Sequence, residues 1–151
     1  MQQTITIYTD GGCSGNPGVG GWAYVIEVDP PLTGSGGEQY TTNNKMELSA
    51  VINALEFVLL HYPSHIHVQL VTDSQYVKQG ITVWIHNWKK NGWRTAAKQP
   101  VKNKDLWVSL DELSKRVCVT WKWVKGHSGV ELNEMCDELV QVEMGKLQQD
   151  K

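Results

Sequence analysis

The stretch Thr4-Ile5-Thr6-Ile7-Tyr8-Thr9-Asp10-Gly11-Gly12-Cys13-Ser14-Gly15-Asn16-Pro17-Gly18-Val19-Gly20-Gly21-Trp22-Ala23-Tyr24-Val25-Ile26 decides the fold. Residues 4–10 alternate and end on an acid, which reads as a strand. A glycine-rich turn follows. Pro17-Gly18 suits the central positions of a type II turn, because proline fixes φ and glycine accepts a positive φ. Trp22 to Ile26 is apolar and β-prone, so the chain returns as a second strand and closes a hairpin. A dinucleotide-binding glycine fingerprint must open a helix. Here a strand follows, and that argues against such a site.

Outward from the hairpin, residues 29–37 read as a loop and 38–42 as a third antiparallel strand. Asn43 or Asn44 is placed to cap a helix. The apolar positions Leu48, Val51, Ile52, Leu55, Val58 and Leu59 repeat at the spacing of one buried helical stripe. That helix ends near His61-Tyr62-Pro63. A fourth strand at 66–72 then implies a right-handed crossover and parallel pairing. Residues 74–80 read as a short helix stopped by Gly80, and 82–91 and 103–116 as two more helices. Val117 to Val124 alternates as a fifth strand, and 130–146 forms the last helix. The expected architecture is α/β: a five-stranded mixed sheet, strands 1–3 antiparallel and strands 1, 4 and 5 parallel, flanked by helices. No linker divides the 151 residues, so a single domain over 1–151 is expected.

Four acids fall where the pattern changes. Asp10 ends the first strand and Asp73 the fourth. Glu47 lies in the first turn of the long helix, and Asp137 in the last helix. Each alone has an ordinary reading as a turn residue, a helix-terminal acid or a solvated charge. Together, on separate elements around the carboxyl ends of parallel strands, they suggest an oxygen cage for hard divalent cations. Such a cage suits two-metal cleavage of a phosphodiester.

Net charge is −2, so bulk composition does not mark a nucleic-acid binder. The distribution does. Lys78, Lys89, Lys90, Arg94, Lys98, Lys102 and Lys104 are half of the 14 basic residues, and no acid interrupts them until Asp105. Trp84, Trp88, Trp93 and Trp107 fall in or beside the same stretch. A basic segment in a slightly acidic chain acts as a local electrostatic device, although a solvated face is the plainer alternative. Trp88 and Trp107 read as core, and Trp84 and Trp93 as mixed packing and binding residues.

Composition narrows the class further. Hydrophobic residues make up 40% and charged residues 20% of the chain, a globular mix. No membrane-length apolar run and no leader pattern is present. Cys13, Cys118 and Cys136 are odd in number and form no CxxC pair, which points away from a disulfide framework or a zinc site and toward a reduced, cytoplasmic setting. His61, His65 and His67 cluster near one loop, as exposed histidines commonly do.

Five motifs in order resemble type 1 ribonuclease H. They are Tyr8-Thr9-Asp10-Gly11-Gly12-Cys13-Ser14-Gly15-Asn16-Pro17-Gly18, Thr42-Asn43-Asn44-Lys45-Met46-Glu47-Leu48, Thr72-Asp73-Ser74-Gln75-Tyr76-Val77, the stretch Trp84 to Trp93, and Gly126-His127-Ser128-Gly129 with Asn133 to Leu139. The resemblance covers nearly the whole chain, and the fourth stretch looks like the basic protrusion of the bacterial members, here about 82–102. It implies a ribonuclease H-like fold and an endonuclease that cuts the RNA strand of an RNA–DNA hybrid, leaving 5′-phosphate and 3′-hydroxyl ends with little sequence preference. It implies two magnesium ions, with manganese able to substitute, held by Asp10, Glu47, Asp73 and Asp137. His127 would be a mobile catalytic histidine. Asn16, Asn43, Asn44 and Gln75 match positions that touch RNA, Thr42 one that holds a DNA phosphate, and Trp84 one near the DNA sugars. Lys89, Lys90, Trp93 and Arg94 complete the expected substrate contacts, and a monomer is expected.

Two rivals stand beside this reading. One is a nuclease or strand transferase of the same broad fold acting on DNA, which the Asn43-Asn44 pair and the basic segment disfavour. The other is a module that holds hybrids without cutting, which the intact acid set disfavours.

Overall fold

A computed structural model describes residues 3–63, 65–95, 97–125 and 131–149. The strands are β1 (Thr4–Ser14), β2 (Gly18–Ile26), β3 (Leu32–Thr41), β4 (His67–Thr72) and β5 (Cys118–Trp123). The helices are α1 (Asn43–His61), α2 (Gln75–Gln79), α3 (Ile85–Lys90), α4 (Lys104–Arg116) and α5 (Glu131–Gln149). The sheet order is β3-β2-β1-β4-β5. The β1–β2 and β2–β3 pairs are antiparallel, and β1–β4 and β4–β5 are parallel, as the sequence pattern implies.

Alternation along the strands builds two cores. Ile5, Ile7, Tyr24 and Ile26 join Leu48, Val51, Leu55 and Val58 of α1 and Trp107 and Leu110 of α4 in the larger one. Ala23, next to Tyr24 but pointing to the opposite face, joins Val19, Val140 and Met144 in a smaller one under α5. Each fully buried aliphatic side chain contributes about 1.5–3 kcal/mol to holding the layers together.

Four local expectations change. First, β1 and β2 run through most of the glycine-rich stretch, with register pairs out to Ser14↔Val19. The turn is confined to residues 15–17, and the positive φ falls on Gly15 (77°), not on Gly18. Second, β3 begins at Leu32, so most of the expected 29–37 loop is strand. Third, Gly80 does not stop a helix. The chain continues through a π-helical turn, Gly80–Trp84, into α3. A Cβ at Gly80 would fall inside the Trp107 ring, so glycine here permits close packing. The α1 cap also differs by a residue. Thr42 is the N-cap (φ −125°, ψ 160°), and its hydroxyl accepts from Lys45 N.

Candidate active site

The parallel ladder sets where the acids meet. β1 pairs with β4 only from Thr4↔His67 to Tyr8↔Val71. Asp10 lies just beyond that end, although its antiparallel pairing with β2 continues. Asp73 follows the last residue of β4. A Cβ at Gly11 would strike the backbone of Met46 and Glu47. Glycine there lets the first turn of α1 close on β1 and brings Glu47 beside Asp10. α5, packed across β1 and β2, delivers Asp137.

Asp10, Glu47, Asp73 and Asp137 consequently line one cavity of ≈ 290 Å³, together with Gly11, Gly12, Asn133, Glu134, Val140 and Gln141. None of these lining residues carries positive charge. The Asp10 carboxyl is pushed up to about 8, first by burial and then by the charges of Asp73 and Asp137, with Glu47 adding less. A hydrogen bond from the Gly11 backbone opposes the rise. Glu47 is also raised, again chiefly by burial, while hydrogen bonds from Ser74 and Asn43 pull it back. Repulsion and desolvation both disfavour the ionised forms.

Glu47 is restrained from two sides. Ser74 Oγ donates to its Oε2, and Asn43 Nδ2 donates to its Oε1 at 3.1 Å. Asn43 is held in turn, its backbone N–H donating to Asn16 Oδ1 at 3.2 Å. Among the described residues, no three His, Cys, Asp or Glu side chains converge as a ready ion cage. The donor set nevertheless fits a hard divalent cation, since every side-chain donor is oxygen. Asn133 adds another: its Oδ1 is buried with no hydrogen-bond partner.

Asn133 and Ser74 are the site residues that sequence reasoning missed. A signal existed for Asn133, which precedes Asp137 by one i, i+4 step and so shares its helix face. Ser74 had none beyond adjacency to Asp73.

The other expected residues divide into two groups. Asn16, Thr42, Asn43 and Asn44 gather where the β1–β2 turn meets the start of α1, and Gln75 is the exposed first residue of α2. Trp84, Lys89, Lys90, Trp93 and Arg94 stand apart on the protrusion and do not line the acid cavity. There Trp84, Asn87, Trp88, Asn91, Arg94 and Thr95 border a separate cleft of ≈ 280 Å³. Lys89 Nζ lies 3.4 Å from Asp111 Oδ1 of α4, an acid brought in by folding. Trp107 is fully buried and Trp88 half-buried. The Trp107 indole donates to Tyr76 Oη at 2.9 Å. His127 lies outside the described residues.

The remaining features are unexceptional. No disulfide joins Cys13, Cys118 and Cys136. His67 hydrogen-bonds Thr4 and Thr120, and His61 packs against Phe57 with ring centroids 4.2 Å apart. No helix among the described residues is long and apolar enough to cross a membrane.

An oxygen-lined cavity at the carboxyl ends of parallel strands marks a class of α/β protein suited to binding hard cations. Comparison with known proteins carries this to a family. The RNase H family model matches residues 2–144. A ribonuclease H of Treponema pallidum subsp. pallidum is 53% identical, over 89% of this chain and 87% of its own length. One of Hydrogenovibrio crunogenus is 54% identical, over 96% of this chain and 98% of its own. Among solved structures, LC9-RNase H1, a type 1 RNase H with the type 2 active-site motif, superposes with a TM-score of 0.84 at 28% identity, covering 97% of this chain and 74% of that one. LC11-RNase H1 in complex with an RNA/DNA hybrid gives 0.73 at 27% identity, covering 95% and 99%. The chain belongs to the ribonuclease H family.

Proposed function

We propose that this protein is an endoribonuclease that hydrolyses the RNA strand of RNA–DNA hybrids with two magnesium ions, leaving 5′-phosphate and 3′-hydroxyl ends. The observation that carries the reading is the meeting of Asp10, Glu47, Asp73 and Asp137 in one cavity with no basic side chain in its lining. In this reading these acids hold the metals, with manganese as a substitute. When bound, magnesium supplies Lewis acidity and a template for in-line displacement at phosphorus. Asp10 must first release its proton, so metal loading is coupled to pH. Asn16, Asn43, Asn44 and Gln75 offer amides that both donate and accept, which is what recognition of a 2′-hydroxyl requires. His127 relays a proton during turnover.

The DNA strand is gripped without regard to sequence. Thr42 follows Thr41, which lines a cleft of ≈ 470 Å³ with the bases Lys45 and Lys104 and the acids Glu38 and Asp105. Trp84, Lys89, Lys90, Trp93 and Arg94 extend the grip along the protrusion, where phosphate contacts supply affinity that falls with salt. One complete acid set within one chain supports a monomer, and the reduced thiols fit a cytoplasmic setting.

Labelled RNA–DNA hybrid, duplex RNA and duplex DNA, each incubated with magnesium and with a chelator, test the reading. Magnesium-dependent loss of the RNA strand of the hybrid alone is expected. Asp10→Asn is expected to bind hybrid and leave it intact. Cleavage of duplex DNA at a comparable rate would overturn the substrate assignment, and hydrolysis by Asp10→Asn at the parent rate would overturn the role of the acids.

A further inference from the structure

Glu47 is held from two sides by donors of different character. Asn43 is half-buried, lies at the start of α1 and belongs to the proposed RNA-contacting set. Its amide can leave Glu47 for a substrate oxygen. Ser74 is 3% exposed and sits beneath the cavity. Its Oγ donates to Glu47 Oε2 and accepts from the Val77 backbone N–H at 3.1 Å. Its own N–H donates to Thr72 Oγ1 at 3.1 Å, and its carbonyl accepts the first helical bond, from Lys78 N, at 3.1 Å. The hydroxyl has one hydrogen. With Val77 N–H directed at the oxygen, that hydrogen is left for the carboxylate.

These bonds form a chain from Asn16 through Asn43 and Glu47 to Ser74 and the first turn of α2. It joins two segments that face RNA in the proposed function, the β1–β2 turn and the Gln75 end of α2, to a single carboxylate. Ser74 is also rigidly placed, since both flanking backbone groups and its side chain are bonded. Hydrogen-bond partners that orient ligating groups commonly change metal affinity 10–100-fold when removed.

We infer that Ser74 is a positioning residue for Glu47, fixing its carboxylate so that the cation site keeps its shape when Asn43 turns to the substrate. The inference rests on the proposed magnesium-dependent function. Ser74 touches neither the substrate nor the reacting atoms in this account; it acts through Glu47.

The test is magnesium binding by calorimetry on the full chain, alongside kcat and KM on hybrid, for the parent, Ser74→Ala and Ser74→Thr. Ser74→Ala is expected to weaken magnesium binding and lower kcat by about tenfold each, with KM for hybrid little changed. Ser74→Thr keeps the hydroxyl and is expected to restore both. A residue that merely caps α2 would lower Tm in Ser74→Ala while leaving magnesium affinity and kcat at parent values, and that result would overturn the assignment. So would loss in Ser74→Ala that Ser74→Thr, folded by circular dichroism, does not recover. A parent protein that binds no magnesium, or binds it without hydrolysing hybrid, would instead strike the proposed function, so the two failures are distinguishable.

Discussion

The acid cavity and the protrusion solve opposite electrostatic problems. In the cavity, like charges are buried against a rigid sheet, and the protein tolerates their repulsion and desolvation. On the protrusion, like charges are exposed and cheap, and the effort goes into shape. Trp84, Trp88 and Trp93 of the protrusion meet Tyr76 and Trp107 through tilted and edge-on ring contacts, with centroid separations of 5.3 Å for Tyr76–Trp107 and 5.4 Å for Trp88–Trp107. Trp93, Lys98 and Asn103 adopt left-handed φ values of 64°, 64° and 61°. One region holds unfavourable charge in favourable backbone; the other holds favourable charge in partly unfavourable backbone. Stability should therefore respond to charge removal in the first region and to backbone relief in the second.

The largest effect is expected at Asp10. Its carboxyl titrates near 8 when folded, against an ordinary 3.8. Below the ordinary value both folded and unfolded chains carry the proton, and no penalty exists. Between the two values the unfolded chain ionises while the folded one does not, so stability drains away as pH rises. Above 8 the loss is complete. The full shift would be worth on the order of 5 kcal/mol; partial solvation and relaxation reduce the expectation to about 3 kcal/mol. Asp10→Asn should thus stabilise the metal-free protein by about that much at pH 9, and by little at pH 4. Thermal unfolding in chelator across this range measures it. A gap independent of pH would mean that the gain comes from packing rather than charge.

Neutralising the protrusion should do the reverse. Lys89→Gln, Lys90→Gln and Arg94→Gln together remove exposed cations, so stability should change by no more than a few tenths of a kcal/mol per site. Hybrid affinity should fall, with KM rising roughly 30-fold near physiological salt and the salt slope becoming shallower by about two to three. Lys89 contributes least if its contact with Asp111 already offsets its charge. Steady-state kinetics at several salt concentrations read both numbers. A fall in kcat with KM unchanged would show that the segment shapes the cavity.

The same contrast explains what could be read from the chain alone. Strands β1 and β5 announced themselves by alternation along the chain, and β2 by its apolar, β-prone run. The four acids were legible because each falls on a separate element near a point where the sequence pattern changes. β3 was legible only from residue 38 onward, since Gly34 and Gly36 break the pattern before it. A Cβ at either would strike the rings of Tyr24 and Trp22, so the aromatic side chains of β2 occupy the space that β3 lacks. Gly80 misled in the same way: a residue that usually stops helices was required by Trp107, distant in sequence. Asn133 was marked only by its i, i+4 spacing to Asp137 and Ser74 only by adjacency to Asp73, because a buried serine at a helix cap and an asparagine on a helix face look alike whether or not a cavity lies beyond them. Tertiary contact, not local propensity, decided each of these.

The smallest effect tests the backbone side of the comparison. Lys98 sits in the tight loop between Arg94 and Pro100, which are joined by an isolated bridge, and its N–H bonds to Thr95 O at 2.9 Å. Its φ of 64° costs a side chain with a Cβ about 1 kcal/mol. Glycine removes that strain but frees the unfolded chain, so Lys98→Gly should gain about 0.5 kcal/mol net, or 1–2 °C in Tm. Asn103→Gly is the matched control. Asparagine tolerates this conformation, and its Nδ2 donates to Tyr76 Oη at 3.2 Å, so glycine there should lower Tm. If Lys98→Gly left Tm unchanged while hydrogen exchange at Lys98 and Gln99 slowed, the loop would be opening below the global transition. The strain at Lys98 would then be confined to the protrusion and would not reach the sheet that carries the acids.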